Sequence, residues 1–118
     1  MQTIEIIIPE KLSTNKVYNL HHFAKAKWNK DIYQSVKVAV IQQKIKPIKE
    51  YPIICTYIFH SAGRSLDLIN LGAMIKAIED GLRYANILKD DTLKEVCQIT
   101  LLEEKSDREY SYFVLEIN

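Results

Sequence analysis

Three places in the sequence hold residue types that could do chemistry together. Asp67 sits in Arg64-Ser65-Leu66-Asp67-Leu68-Ile69-Asn70-Leu71, and Asp90 and Asp91 sit in Leu88-Lys89-Asp90-Asp91-Thr92. Lys76 lies four residues before Asp80. Carboxylates from two separated segments can converge on one hard cation such as Mg²⁺, which takes oxygen ligands and keeps several waters. A Lys nearby can neutralise charge that develops on a phosphate. The set is the inventory for metal-assisted phosphodiester hydrolysis. Each member also has a plainer role: Asp67 as a helix cap, Asp90-Asp91 as solvated turn formers, and Lys76 with Asp80 as a surface ion pair.

These residues need elements to position them. Thr3 to Ile8 is a β-branched run that predicts a strand, ended by Pro9. Residues 10–29 read as an irregular segment. Ile32, Tyr33, Val36 and Val40 predict a helix over about 30–44, capped by Asn29 and stopped before Pro47. Pro52 to His60 is short and β-branched and predicts a central strand. After the turn at residues 61–65, Leu71, Met74, Ile75, Ile78 and Leu82 predict an amphipathic helix over about 68–84. Val96 to Leu102 and Tyr110 to Ile117 predict two strands, and the polar stretch between them suggests a hairpin. The order β-α-β-α-β-β implies an α/β domain with a mixed sheet and helical cover, and one domain spans residues 1–118.

Composition narrows the class. The 47% hydrophobic and 26% charged content is that of a globular chain. No apolar run is long enough to span a bilayer, and residues 1–11 do not read as a signal peptide. Cys55 and Cys97 lie in apolar runs without CxxC spacing, which predicts two buried, reduced thiols and a cytoplasmic protein. The net charge is +1, but residues 1–50 carry +5 and residues 51–118 carry −4. That split suits a protein that grips phosphates with one half and holds a metal with the other, or one with a lysine-rich solvated surface. His21, His22 and His60 read as surface or loop histidines. Phe23 and Trp28, beside Lys25 and Lys27, could stack on bases or anchor the irregular segment to the core, and the anchor is the expectation.

Over nearly its whole length the sequence resembles the RusA-type Holliday junction resolvases, common in prophages. Ile8-Pro9 followed by Ser13-Thr14-Asn15-Lys16 is similar to the family's strand, Pro and Ser-x-Asn element. Asp67-Leu68-Ile69-Asn70-Leu71 resembles its Asp-x-Asp-Asn-Leu motif. Lys76 to Leu82 resembles Lys-x-x-x-Asp-x-Leu, and Ile87 to Asp91 with Val96 resembles its Asp-Asp block before a Val-led strand. The resemblance implies a homodimer that binds four-way DNA junctions and nicks them with Mg²⁺, or Mn²⁺, in recombination and repair. It implies Asp67 and Asp91 as metal ligands with Asp90 helping, Lys76 as the catalytic cation, and Asn70 supporting the helix start. Phosphate contacts fall to Lys16, with Lys25, Lys27 and Lys30 of the basic half and Arg64 of the turn.

Two positions depart from the family pattern. Ile69 stands where the motif has its second Asp, and an aliphatic side chain cannot ligate Mg²⁺. Ala73 stands three residues after Asn70, where some members carry the Lys, while Lys76 is six residues after it. A resolvase with an altered acidic site is therefore one expectation. A catalytically impaired member that binds junctions or regulates a partner is the alternative, and a plain α/β interaction domain is the third.

Overall fold

The computed structural model describes all 118 residues. Strand β1 is Gln2–Ile8, helix α1 Thr14–Tyr18, helix α2 His22–Gln42 and strand β2 Ile53–Ser61. A 3₁₀ turn over Leu68–Leu71 leads into helix α3, Gly72–Tyr84, and strands β3, Val96–Lys105, and β4, Ser111–Ile117, complete the chain. No helix is long and apolar enough to cross a membrane.

The strands form one mixed sheet in the order β1-β4-β2-β3. β4 runs antiparallel to both β1 and β2, and β3 runs parallel to β2. Side chains alternate across a sheet. Ile4, Ile6, Ile53, Cys55, Tyr57, Phe59, Phe113, Leu115 and Ile117 are all buried with the helices in one core. The opposite face, with Thr3, Glu5, Ile7, Ile54, Thr56, Ile58 and His60, is half-buried or exposed. The helical cover is therefore on one face only.

The expected hairpin is not formed. β4 leaves β3 and crosses beyond the end of β2 to insert between β1 and β2. The crossing is held where Ser106 N–H donates to Ser61 O at 2.9 Å and Ala62 N–H donates to Ser111 Oγ at 2.9 Å. Burial explains the choice. Phe113 and Leu115 are fully buried and suit a central strand, whereas β3 leaves Gln98, Ile99 and Leu102 exposed and suits an edge. Cys97 is exposed for the same reason, contrary to expectation, while Cys55 is buried and its thiol is pushed up to about 12 by burial.

The segment expected to be irregular is mostly helical. Ser13 Oγ accepts from Lys16 N–H at 3.3 Å and starts α1. The long helix α2 begins at His22, not at Lys30, because His21 Nδ1 caps it by accepting from Phe23 N–H. The buried stripe also starts earlier: Trp28 precedes Ile32, Val36 and Ala39 at helical spacing. Trp28 is an anchor as expected, and its Nε1 donates to Glu10 O at 2.9 Å. Phe23 is 74% exposed. α2 and α3 cross closely at Gly81, where an added Cβ would lie 3.1 Å from Val36.

Candidate functional site

Helix α3 has two chemically different sides. Met74, Ile75, Ile78 and Leu82 are buried. Lys76, Asp80 and Arg83, at i, i+4 and i+7, form a polar stripe away from the core. After α3 the chain reverses at Asn86, which has a φ of 61°, and Ile87 and Leu88 pack into the core. This return carries Asp90 and Asp91 back beside the stripe.

Lys76 Nζ is the meeting point. It contacts Asp80 Oδ1 at 3.2 Å and makes a closer contact with Asp91 Oδ2. Arg83 bonds Asp80 Oδ1 at 3.0 Å and lies 3.8 Å from Asp90 Oδ1. The Asp91 backbone N–H donates to Asp90 Oδ1 at 2.8 Å, which ties the Asp90 carboxylate to the backbone that carries Asp91. The hydrogen bond from Lys76 holds the Asp91 carboxyl below its ordinary range, and the same bond raises the Lys76 ammonium. Two cations thus face three carboxylates, leaving a local excess of one negative charge.

Behind this stripe lies a carboxylate that sequence reasoning missed. Glu79 is buried, and its Oε1 accepts from Tyr57 Oη at 3.2 Å. Burial pushes the Glu79 carboxyl up, with Asp91 adding to the effect, and burial raises the Tyr57 hydroxyl too. The sequence signal was a Glu beside Ile78 within the apolar stripe of α3.

Lys76 and Asp80 line a cleft of about 440 Å³ between α3 and the α1–α2 region, together with Thr14, Lys25, Trp28 and Ile69. A larger groove of about 620 Å³ runs along α2 and α3 past Lys30, Tyr33, Lys37 and Tyr84. It contains no acidic group, whereas the smaller cleft sets Lys76 beside Asp80.

The remaining expected residues are spread around this centre. Asp67 begins the 3₁₀ turn, but its side chain makes no capping hydrogen bond and no ion pair, and only its carbonyl is used, by Asn70 N–H at 2.8 Å. Neither expected role of Asp67, as a cap or beside Asp91, has a contact that realises it. Ile69 is 89% exposed and faces the cleft instead of the core. Asn70 is half-buried. Lys16 is exposed on α1, Lys25 lines the cleft, Lys27 pairs with Asp31 at 2.9 Å, and Lys30 lies in the other groove. Arg64 is exposed in the turn after β2. His60 stacks flat on Tyr112 with ring centroids 4.4 Å apart, and the His21 and His22 rings lie tilted against one another on the surface.

The donor set bears on the expected Mg²⁺. No group of three or more His, Cys, Asp or Glu side chains is arranged around a common point. Asp80 and Asp91 do share one point, which the Lys76 ammonium fills. Two carboxylates suit Mg²⁺ when waters and substrate phosphates complete the octahedron. The pair Asp80 and Asp91 therefore fits the ion chemically, provided that Lys76 swings aside. The chain matches no protein-family model and no curated protein.

Proposed function

We propose that the protein is a Mg²⁺-dependent, structure-specific endodeoxyribonuclease of the RusA type, acting inside the cell on four-way junctions in DNA recombination and repair. One observation carries this reading. Lys76, Asp80 and Asp91, the residues of the family's Lys-x-x-x-Asp and Asp-Asp blocks, meet at the Lys76 ammonium, and Lys76 and Asp80 line a cleft. In this reading Asp80 takes the ligand place expected of Asp67, with Asp91 as its partner. A Mg²⁺ bound there would supply Lewis acidity and an acidified water. Asp90 would hold Asp91 in place through its bond to the Asp91 N–H. Lys76, once released from its carboxylates, would turn its ammonium to the phosphate on which charge develops. Lys25 across the cleft, with Lys16 and Arg64 farther out, would hold the neighbouring backbone.

The second reading, junction binding without cleavage, is favoured by Ile69. Its exposed apolar side chain lies in the cleft and supplies no ligand. A labelled four-way junction incubated with protein and Mg²⁺ or Mn²⁺ separates the two. Symmetrical nicks that vanish in Asp91→Asn and Asp80→Asn support the nuclease. Tight binding without nicks leaves the second reading. Absence of binding at 50 mM salt removes both, because phosphate-driven binding is strongest there.

A further inference from the structure

Five charged side chains at the candidate site close into a ring. On one side Lys76 joins Asp80 to Asp91. On the other, Arg83 Nη2 donates to Asp80 Oδ1 at 3.0 Å, and Arg83 Nη1 lies 3.8 Å from Asp90 Oδ1. Asp90 Oδ1 also accepts the Asp91 backbone N–H at 2.8 Å, which completes the circuit. The ring joins two segments that little else ties together. Lys89 N–H donates to Tyr51 Oη at 2.9 Å, and Thr92 O accepts the Glu95 and Val96 N–H groups at 3.0 and 2.9 Å. Between these anchors the backbone of Asp90 and Asp91 makes no other hydrogen bond, so the polar ties of this step to α3 are the ion pairs of Lys76 and Arg83. The two cations are not equivalent. Lys76 carries a compact charge on a flexible stem and is 59% exposed. Arg83 is 32% exposed with its Nε buried, and its planar fork spans two carboxylates at once.

We propose that Arg83 is a positioning residue of this site, which holds Asp80 against the Asp90-Asp91 turn when Lys76 withdraws. The inference rests on the reading that a divalent cation takes the point between Asp80 and Asp91. An entering cation displaces the Lys76 ammonium, and with it the one side chain that joins those two carboxylates directly. Like charges left without a bridge repel one another. The Arg83 side of the ring stays closed through this exchange, because none of its contacts involves Lys76. Two effects of Arg83 on the ion oppose one another. As a positive charge it repels, but near the surface that repulsion is screened by water and salt. As a hydrogen-bond partner of Asp80 it orients a ligand, and loss of such an outer partner typically weakens metal binding by about 10–100-fold. Positioning therefore wins, and Arg83 favours the binding of an ion of its own sign.

Mn²⁺ is the probe, and electron paramagnetic resonance of the free ion measures its affinity for the whole chain. Arg83→Gln should weaken binding by about 10–100-fold. Arg83→Lys keeps the charge but not the fork, and should also bind more weakly than wild type. A role through charge alone has the opposite sign: the Gln variant would then bind as tightly as wild type or more tightly, and that result overturns the proposal. A Lys variant equal to wild type overturns it too, by showing that the bridge is not needed. A second readout uses the metal-free protein. The Asp91 amide should exchange with solvent faster in Arg83→Gln, because its acceptor Asp90 is released. The Ile87 and Leu88 amides, bonded to Leu82 O at 2.9 and 3.3 Å, should keep their wild-type rates. An Asp91 amide at its wild-type rate, or a general loss of protection at Ile87 and Leu88, overturns the positioning role. Wild-type protein that binds no Mn²⁺ removes the metal reading and the inference with it. Tight wild-type binding that Arg83→Gln leaves unchanged removes the inference alone.

Discussion

Two lysines in this protein each gather several oxygens, and they do so for opposite ends. Lys11 donates to Ser61 Oγ at 3.0 Å, to Ala62 O at 2.8 Å and, more closely, to Arg64 O. Its acceptors are a hydroxyl and two carbonyls, and it clamps the turn that carries β2 into the 3₁₀ segment. Lys76 instead meets two carboxylates while its own side chain stays 59% exposed. Neutral acceptors around a half-buried ammonium make a fixed strut. Anionic acceptors around an exposed one make a contact that a phosphate or a divalent cation can displace. The basic charge of the first half of the chain is therefore not all available to a polyanion, because Lys11 is spent on the fold.

Substitution separates the two lysines cleanly. Lys76→Met should lower junction cleavage by about 10²-fold or more, the loss typical of one transition-state cation or donor. Its cost in stability should stay below about 1 kcal/mol, because the ion pairs it loses are largely solvated. Single-turnover cleavage beside a urea melt measures both, and unchanged cleavage would remove Lys76 from the reaction. Lys11→Met should behave in reverse. It strips three acceptors of their donor and should cost about 2–3 kcal/mol, read as a lower urea midpoint at unchanged slope. If the Lys11 variant melts like wild type, the strut reading is wrong.

The contrast also shows what the sequence made legible. The strand at Thr3–Ile8, the strand after Pro52 and the helix with Leu71, Met74, Ile78 and Leu82 were readable because their periodicity is strong. Pairing of β4 was not, since insertion between β1 and β2 depends on relative burial of whole strands, which no local pattern carries. The start of α2 at His22 is not legible locally, because its cap is a histidine and its first buried residue, Trp28, stands among lysines and exposed residues. In the site, the nearness of Lys76 to Asp91 followed from motif order. Asp80 was read as a surface partner of Lys76, and its convergence with Asp91 depends on the reversal at Asn86. Lys11 was counted only as charge, since nothing local marks a lysine whose acceptors lie fifty residues away.

Glu79 and Asp91 extend the comparison to pH, with opposite signs. Burial raises the Glu79 carboxyl in the folded state, so its contribution is fully present below the unfolded value and is lost as pH rises through the folded one. Asp91 is lowered by Lys76, so its contribution is present above the unfolded value and is lost as pH falls through the folded one. Glu79→Gln keeps a neutral acceptor for the Tyr57 hydroxyl and removes the titration. It should stabilise the protein at pH 7 by about 1 kcal/mol, and the decline in Tm on going upward from pH 4.5 should flatten. Asp91→Asn should instead flatten the loss of stability below pH 4, by a smaller amount because its partner is exposed. A variant at Glu79 that leaves the neutral limb of the profile unchanged would show that the buried carboxyl is not coupled to folding.

The smallest expected effect lies between two lysines one helical half-turn apart. Lys25 lines the cleft, has no carboxylate partner and sits 5.5 Å from the Tyr18 ring centroid. Lys27 is bonded to Asp31 at 2.9 Å on the open side of α2, and that bond raises its ammonium. If the cleft faces phosphate, Lys25 neutralises backbone charge and Lys27 is already neutralised. Each phosphate contact adds about 0.9 to the slope of log affinity against log salt on duplex DNA. Lys25→Ala should therefore lower that slope by about 0.9, and Lys27→Ala should leave it nearly unchanged. Equal slopes for the two variants would mean that general surface charge, and not the cleft, holds the DNA. A larger loss for Lys27 would place the phosphate backbone on the outer side of α2 and move the candidate site with it.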